Sequence, residues 1–359
     1  MKNIAKKVVV LFSSLFLSVS AFAGELTVTG SANASYVVNG GQANNNDTGL
    51  GISNELKFAA SGELDNGFTW SYFMELDGND SGAHDNDDTQ LKIGMGSYGT
   101  LSINDSEGGL STETADGIGA VGNGSDFANT ASFVGHDIDV SGSGNIQYDT
   151  PADILPFGIA ASIAYVPNNS DADNNSYKST GAENTAGGDG RNETMYRVKA
   201  SPIDGLSLAA DYIKAGGTTG TNRQVHEAGG FAANYALGNF EIGYKERYYA
   251  PAVGSAGISG GNYLYELTGM GVEVALNDAL SISYSEEEST RKTLGAAVNA
   301  AAGASPFTRT SVTFESQFLM LAYDIGGATV GLTSVESSNS GYSAGADTTK
   351  TLATLSMAF

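Results

Sequence analysis

The chain has 359 residues, no cysteine and a formal net charge of −23 at pH 7. The lack of cysteine excludes disulfides, thiolate metal sites and a cysteine nucleophile, and the acidic balance without a basic stripe excludes nucleic acid as a partner. Glycine is abundant at 48 and proline scarce at 6, while 17 tyrosines and 15 phenylalanines accompany one tryptophan, Trp70.

Lys2, Lys6 and Lys7 precede an apolar run from Val8 to Val19, closed by Ala21-Phe22-Ala23. A basic start, a short apolar run and an A-x-A ending describe a secretory signal peptide, here residues 1–23. The run falls short of the roughly 20 residues that a spanning helix needs. No later run reaches that length, so a membrane-embedded mature chain must cross as a closed barrel, one domain over residues 24–359. A mean hydropathy of −0.13 is consistent with this, because alternation hides an apolar face from an average.

From Glu25 the pattern is strand, short turn, strand, long polar loop. The first strand places Leu26, Val28, Gly30, Ala32, Ala34 and Tyr36 on one face. Ten steps of a strand rise roughly 33 Å, which at a tilt of about 45° covers roughly 24 Å, the height of an outer-membrane apolar band. Strand two (Ile52 to Ala60) turns at Asp65-Asn66-Gly67 into a strand facing outward with Phe68, Trp70, Tyr72, Met74 and Leu76. Later turns fall at Ser97-Tyr98-Gly99, Pro151 to Pro156, Pro202 to Gly205, Leu237 to Asn239, Leu276 to Asp278 and Asp324 to Gly327. Gly, Asn and Asp at these places are what tight hairpins require. A slip of the apolar phase at Gly269-Met270-Gly271 predicts a bulge, and Phe318 to Tyr323 is apolar on both faces, with no inward side assignable.

The remaining connections are expected to be long and polar: Asn39 to Gly51, Asp77 to Asp88, Asp105 to Gly144, Pro167 to Asn192, Lys214 to His226, Tyr248 to Asn262, Glu286 to Thr310 and Glu336 to Thr349. Short turns at one rim and long loops at the other are the asymmetry of an outer-membrane barrel. The last strand alternates through Ala353, Leu355 and Met357 to the terminal Phe359. Pairing it with the first strand removes an exposed sheet edge. The expected fold is an all-β, antiparallel, up-and-down transmembrane barrel of about sixteen strands.

The start Gly24 to Gly30, the segment Gly94-Met95-Gly96-Ser97-Tyr98-Gly99-Thr100-Leu101, the segment Gln147-Tyr148-Asp149-Thr150-Pro151 and the terminal Phe359 occur in that order, the longest loop between the second and third. In this the chain resembles the trimeric general porins of Gram-negative bacteria, closest to those of alphaproteobacteria. The resemblance covers nearly all of the mature sequence. It implies a sixteen-stranded barrel in the cell outer membrane, a homotrimer surrounded by lipid, and an infolded third loop that constricts the lumen. It implies passive diffusion of small hydrophilic solutes and ions, and no enzymatic activity. Phe359 resembles the assembly signal read by the barrel-assembly machinery. The family's Pro-Glu-Phe-Gly-Gly turn is not present; Asp116-Gly117-Ile118-Gly119 occupies that region.

Strand phase places Lys57, Lys92, Arg197, Lys199, Lys245 and Arg247 inward. The third loop supplies Asp105, Glu107, Glu113, Asp116, Asp126, Asp137 and Asp139, and no lysine or arginine. Acids on an infolded loop opposite bases on the wall would set a transverse field at the narrowest point; the alternative is that these charges merely wet a wide lumen. The loop's excess of acid leads to an expected modest cation preference. No cofactor is expected, save that Asp77, Asn79 and Asp88 loosely match a calcium loop that lacks its helices and its closing Glu. Gly257-Ile258-Ser259-Gly260-Gly261 matches a nucleophile elbow, but in a glycine-rich loop away from His84, His136 and His226. The alternative readings are therefore a substrate-selective channel, a barrel hydrolase and a structural surface adhesin.

Overall fold

The computed structural model describes residues 26–41, 48–78, 84–105, 110, 140, 144–151, 154–167, 192–216, 222–251, 253–254, 261–294 and 309–359; the expected signal peptide lies outside them. The strands are β1 (Thr27–Gly41), β2 (Thr48–Glu63), β3 (Thr69–Gly78), β4 (His84–Gly94), β5 (Thr100–Asp105), β6 (Asn145–Asp149), β7 (Ala160–Val166), β8 (Glu193–Ala200) and β9 (Leu206–Ala215). They continue as β10 (Asn222–Gln224), β11 (Glu227–Leu237), β12 (Phe240–Ala250), β13 (Val253–Gly254), β14 (Asn262–Asn277), β15 (Leu280–Leu294), β16 (Arg309–Asp324), β17 (Ala328–Ser338) and β18 (Thr348–Ala358). β10 and β13 form a small ribbon by themselves, and the other sixteen close into one antiparallel barrel in which β1 pairs with both β2 and β18. The expected fold class is the one observed.

Alternation builds the two faces. Along β12, Ile242 and Tyr244 are exposed on the outside, while Lys245 and Arg247 are buried on the inside. Leu319, Leu321 and Tyr323 of β16 face outward, and Phe318 faces inward beside Val335 of β17. The doubly apolar stretch thus has a defined inner face, one that its own sequence did not reveal. The short turns use glycine in the left-handed region, among them Gly67 (φ 80°), Gly205 (φ 77°) and Gly327 (φ 89°). Asx-type bonds fix several of them: Asn66 Oδ1 accepts from Phe68 N at 3.0 Å, and Asp324 Oδ1 accepts from Gly326 N at 2.7 Å.

Two expectations are corrected. Gly269-Met270-Gly271 is not a bulge: the β12–β14 register runs unbroken from Phe240↔Val274 to Tyr249↔Tyr265, and β14–β15 is regular through the same residues. Several loops are also shorter than expected, because β1, β2, β3, β4 and β15 run on past their apolar phase. Backbone pairing needs no apolar side chain, so the ladder continues into water above the membrane.

The first and last barrel strands meet at the seam. Gly30 N donates to Phe359 O at 2.7 Å and Phe359 N to Gly30 O at 2.9 Å. A Cβ on Gly30 would lie 2.8 Å from both Glu55 O and Phe359 Cε2, so the terminal ring lies over the bare backbone of Gly30.

Candidate functional site

The inner wall is polar, and three of its bases are paired with carboxylates on other strands. Lys57 and Glu75 stand opposite each other on β2 and β3, with Nζ 2.9 Å from Oε2 and 3.8 Å above the Phe73 ring centroid. Two further pairs reach across an intervening strand. Lys245 of β12 meets Glu287 of β15 at 2.6 Å, and the residue between them is Gly269 of β14. Arg247 of β12 meets Asp211 of β9 at 2.5 Å over Gly230 of β11. Neighbouring strands are roughly 4.8 Å apart, so each pair spans roughly 10 Å of wall. A Cβ on Gly269 would lie 2.7 Å from Lys245 Cε, and one on Gly230 3.1 Å from Arg247 Cβ. Glycine is the spacer that lets these side chains lie flat along the wall. The side chains of Lys245, Arg247 and Asp211 are each 1% exposed.

The basic residues singled out from the sequence divide between two arcs. Arg197, Lys199, Lys245 and Arg247 lie on β8 and β12, with Arg197 in register beside Asp211. Lys57 lies on β2 and Lys92 on β4, the latter in register between Ser71 and Ser102. β2 and β3 stand eight strands round the ring from β11 and β12, directly across the lumen. The partners Glu75, Asp211 and Glu287 were missed by the sequence reading, as were Arg291 and Lys350, which share the inward phase of β15 and β18. The same period of two carries the signal for all five.

On the acidic side, the side chain of Asp105 and the residues Glu107, Glu113, Asp116, Asp126, Asp137 and Asp139 lie outside the described residues. Near the two ends of that loop, Leu110 and Val140 are buried in one cluster with Ala164, Val166, Met195, Ile213 and Ala228. These wall residues come from β7, β8, β9 and β11 and point into the barrel. A hydrogen-bonded run holds Val140 as well: Gln90 Nε2 donates to Asn104 Oδ1, Asn104 Nδ2 to Asn145 Oδ1, and Asn145 Nδ2 to Val140 O, at 2.9, 2.9 and 3.1 Å.

The last loop, 339–347, also turns inward, a feature without any sequence signal. Tyr342 (φ 59°) is buried against Phe314, Tyr265 and Leu267. Its hydroxyl is 2.7 Å from Ser289 Oγ, and Arg291 Nη2 donates to its carbonyl at 3.0 Å. Asn339 pins the loop's base, donating to Thr313 O at 2.8 Å and accepting from Gly345 N at 2.9 Å.

Asp77 is on β3 and Asp88 on β4, the paired arms of a hairpin with Asp77 opposite Asp85; Asn79 lies outside the described residues. Among the described residues no group of three His, Asp or Glu side chains could hold a metal ion. Residues 255–260, which contain most of the nucleophile-elbow match, also lie outside the described residues.

The family model described as Gram-negative porin matches residues 8–351. No curated protein matches the chain in sequence. Among solved structures, the anion-selective porin of Comamonas acidovorans is 13% identical over 94% of this chain and 100% of its own, with a TM-score of 0.64. A loop L8 deletion mutant of OmpT from Vibrio cholerae is 12% identical over 94% and 100%, at 0.62. A triple mutant of the Rhodopseudomonas blastica porin is 16% identical over 93% and 100%, at 0.57. At these identities the likeness shows a shared fold.

Proposed function

This chain belongs to the Gram-negative porin family, and from that premise we propose that it carries small hydrophilic solutes and ions passively across the outer membrane, with a modest preference for cations. The observation that carries the proposal is the closed sixteen-stranded barrel with a polar inner face and an apolar outer one. An outer wall of that kind is at home in lipid, and an inner wall of that kind holds water. The third loop is the constriction. Leu110 and Val140, packed on the inner wall, support an infolded course for the acidic segment between them.

The preference for cations rests on the acidic third loop set against wall bases that are in part matched by carboxylates. Lys57, Lys245 and Arg247 are each matched by a carboxylate within 3 Å, so these three bases contribute little net field. Salt screens exposed charge beyond roughly 8 Å at physiological strength. The purely acidic third loop then sets the sign at the narrowest point. Reversal potentials of single channels in a salt gradient test this. Neutralising Glu113 and Asp116 together is expected to weaken the cation preference. Neutralising Lys57 and Lys92 is expected to strengthen it, since Glu75 then lacks its lysine. An anion-selective wild type, or two double mutants with unmoved reversal potentials, would defeat the proposal.

The assembly is a homotrimer with β1 at the contact. Beyond Gly30, which the Phe359 ring covers, the outward residues Ala32 and Ala34 are small where lipid usually meets leucine or phenylalanine, and small residues let neighbouring walls approach closely. Cysteine at Ala32 is expected to give an intersubunit crosslink under oxidation. Strictly monomeric protein in mild detergent, with no adduct, would rule the contact out.

A further inference from the structure

The outer wall between β9 and β14 carries a recess that solute passage does not use. Tyr212, Gly229, Tyr248 and Glu266 form one outward-facing register row across β9, β11, β12 and β14. Gly229 is the floor. A Cβ there would lie 3.2 Å from Tyr212 Cδ2 and 3.4 Å from Tyr248 Cε1, so both rings lean over it from opposite sides. Phe231, Glu246 and Thr268 come from the row beneath, and the two rows border a recess of about 520 Å³.

Its position and charge together select a ligand. Tyr248 lies eight steps along β12 from Phe240 at the turn end, about 26 Å of strand and about 19 Å of height at a 45° tilt. That is about 6 Å short of the top of an apolar band about 25 Å tall, but along β12 the outward side chains already change from Phe240, Ile242 and Tyr244 to Glu246, so the recess lies just beneath the lipid headgroups. Glu246 and Glu266 open onto the recess, and Glu227 stands beside it, accepting from the Tyr212 hydroxyl at 3.0 Å. Glu246 accepts from the Tyr244 hydroxyl, which fixes its carboxylate. Phenol faces attract cations, as do carboxylates. The nearby bases are Lys214, 3.8 Å from Glu227, and Lys292, 2.6 Å from Glu266. They lie at the rim, where a phosphate attached to the cation would come.

We propose that this recess binds a zwitterionic lipid headgroup of the phosphoethanolamine type, its ammonium between Tyr212 and Tyr248 beside Glu246 and its phosphate toward Lys214 and Lys292. The test is native mass spectrometry of the purified full chain in detergent, titrated with phosphatidylethanolamine or with phosphatidylglycerol of the same acyl chains. Ethanolamine lipid is expected to give at least a fivefold higher bound fraction. Tyr212→Leu with Tyr248→Leu, and separately Glu246→Gln with Glu266→Gln, are expected to erase that difference. Single-channel conductance, which these outward residues do not line, should stay at the wild-type value and certify the barrel. Equal retention of the two lipids overturns the proposal, as does a difference that survives both variants. Glycerol lipid retained only with added magnesium also overturns it, because the carboxylates would then be recruiting a metal-bridged phosphate.

Discussion

Deleting Phe359, or replacing Gly30 with leucine, is expected to lower the yield of closed barrel by tenfold or more while leaving the conductance of surviving channels unchanged. The seam depends on the reciprocal backbone bonds between Gly30 and Phe359. Losing Phe359 strands the Gly30 N–H and C=O in the membrane wall, where an unsatisfied backbone group costs several kcal/mol. Tenfold corresponds to about 1.4 kcal/mol, so even partial rescue by neighbours leaves a visible loss. Gly30→Leu attacks the same seam from the other side, since its Cβ would lie 2.8 Å from the backbone oxygen of Glu55. Both variants should fail in refolding from urea into detergent micelles, followed by heat-modifiable mobility on a gel. A truncated chain that refolds normally, yet is lost in cells, would mean that Phe359 acts as an assembly signal and contributes little to closure.

The second large effect belongs to the buried pair that lies over Gly269. Lys245→Ala leaves the Glu287 carboxylate without its lysine in a place where the side chain is only 6% exposed. Breaking a buried pair from one side costs about 3–5 kcal/mol, whereas replacing both partners with apolar residues of similar volume is often neutral or stabilising. The double variant Lys245→Met with Glu287→Met is therefore expected to unfold near the wild-type denaturant midpoint, and the single variant well below it. Denaturant titrations in micelles give both values. Equal loss in single and double variants would show that Lys245 stabilises by packing or by other bonds and not through its charge.

Much of this wall was legible in the sequence because a strand of period two reports its own faces. The outward residues of β3, the glycines of the short turns and the inward phase of Lys57, Lys245 and Arg247 all needed only local reading. What stayed hidden is relational. That Lys245 meets Glu287 depends on the register of β12, β14 and β15 together, and no single strand encodes it. Gly269 read as a slipped phase for the same reason: it is empty to make room for a side chain two dozen residues upstream. Phe318 could face inward only because Val335 and the half-buried wall around it accept an apolar neighbour. Alternation also says nothing about the course of the third loop. Asp77 and Asp88 stand on the paired strands β3 and β4, a placement that their linear spacing did not disclose.

The inward-turned last loop gives the mouth a handed outline. Tyr342 occupies the arc in front of β14, β15 and β16, fastened by Ser289 and Arg291, and the arc of β1 to β3 carries no such roof among the described residues. An elongated solute is therefore expected to choose its orientation at the mouth and to recover its freedom to tumble only beneath the loop. The toll is rotational and depends on aspect ratio, so two solutes of equal mass and charge are expected to pass at different rates if one is a rod and the other a disc.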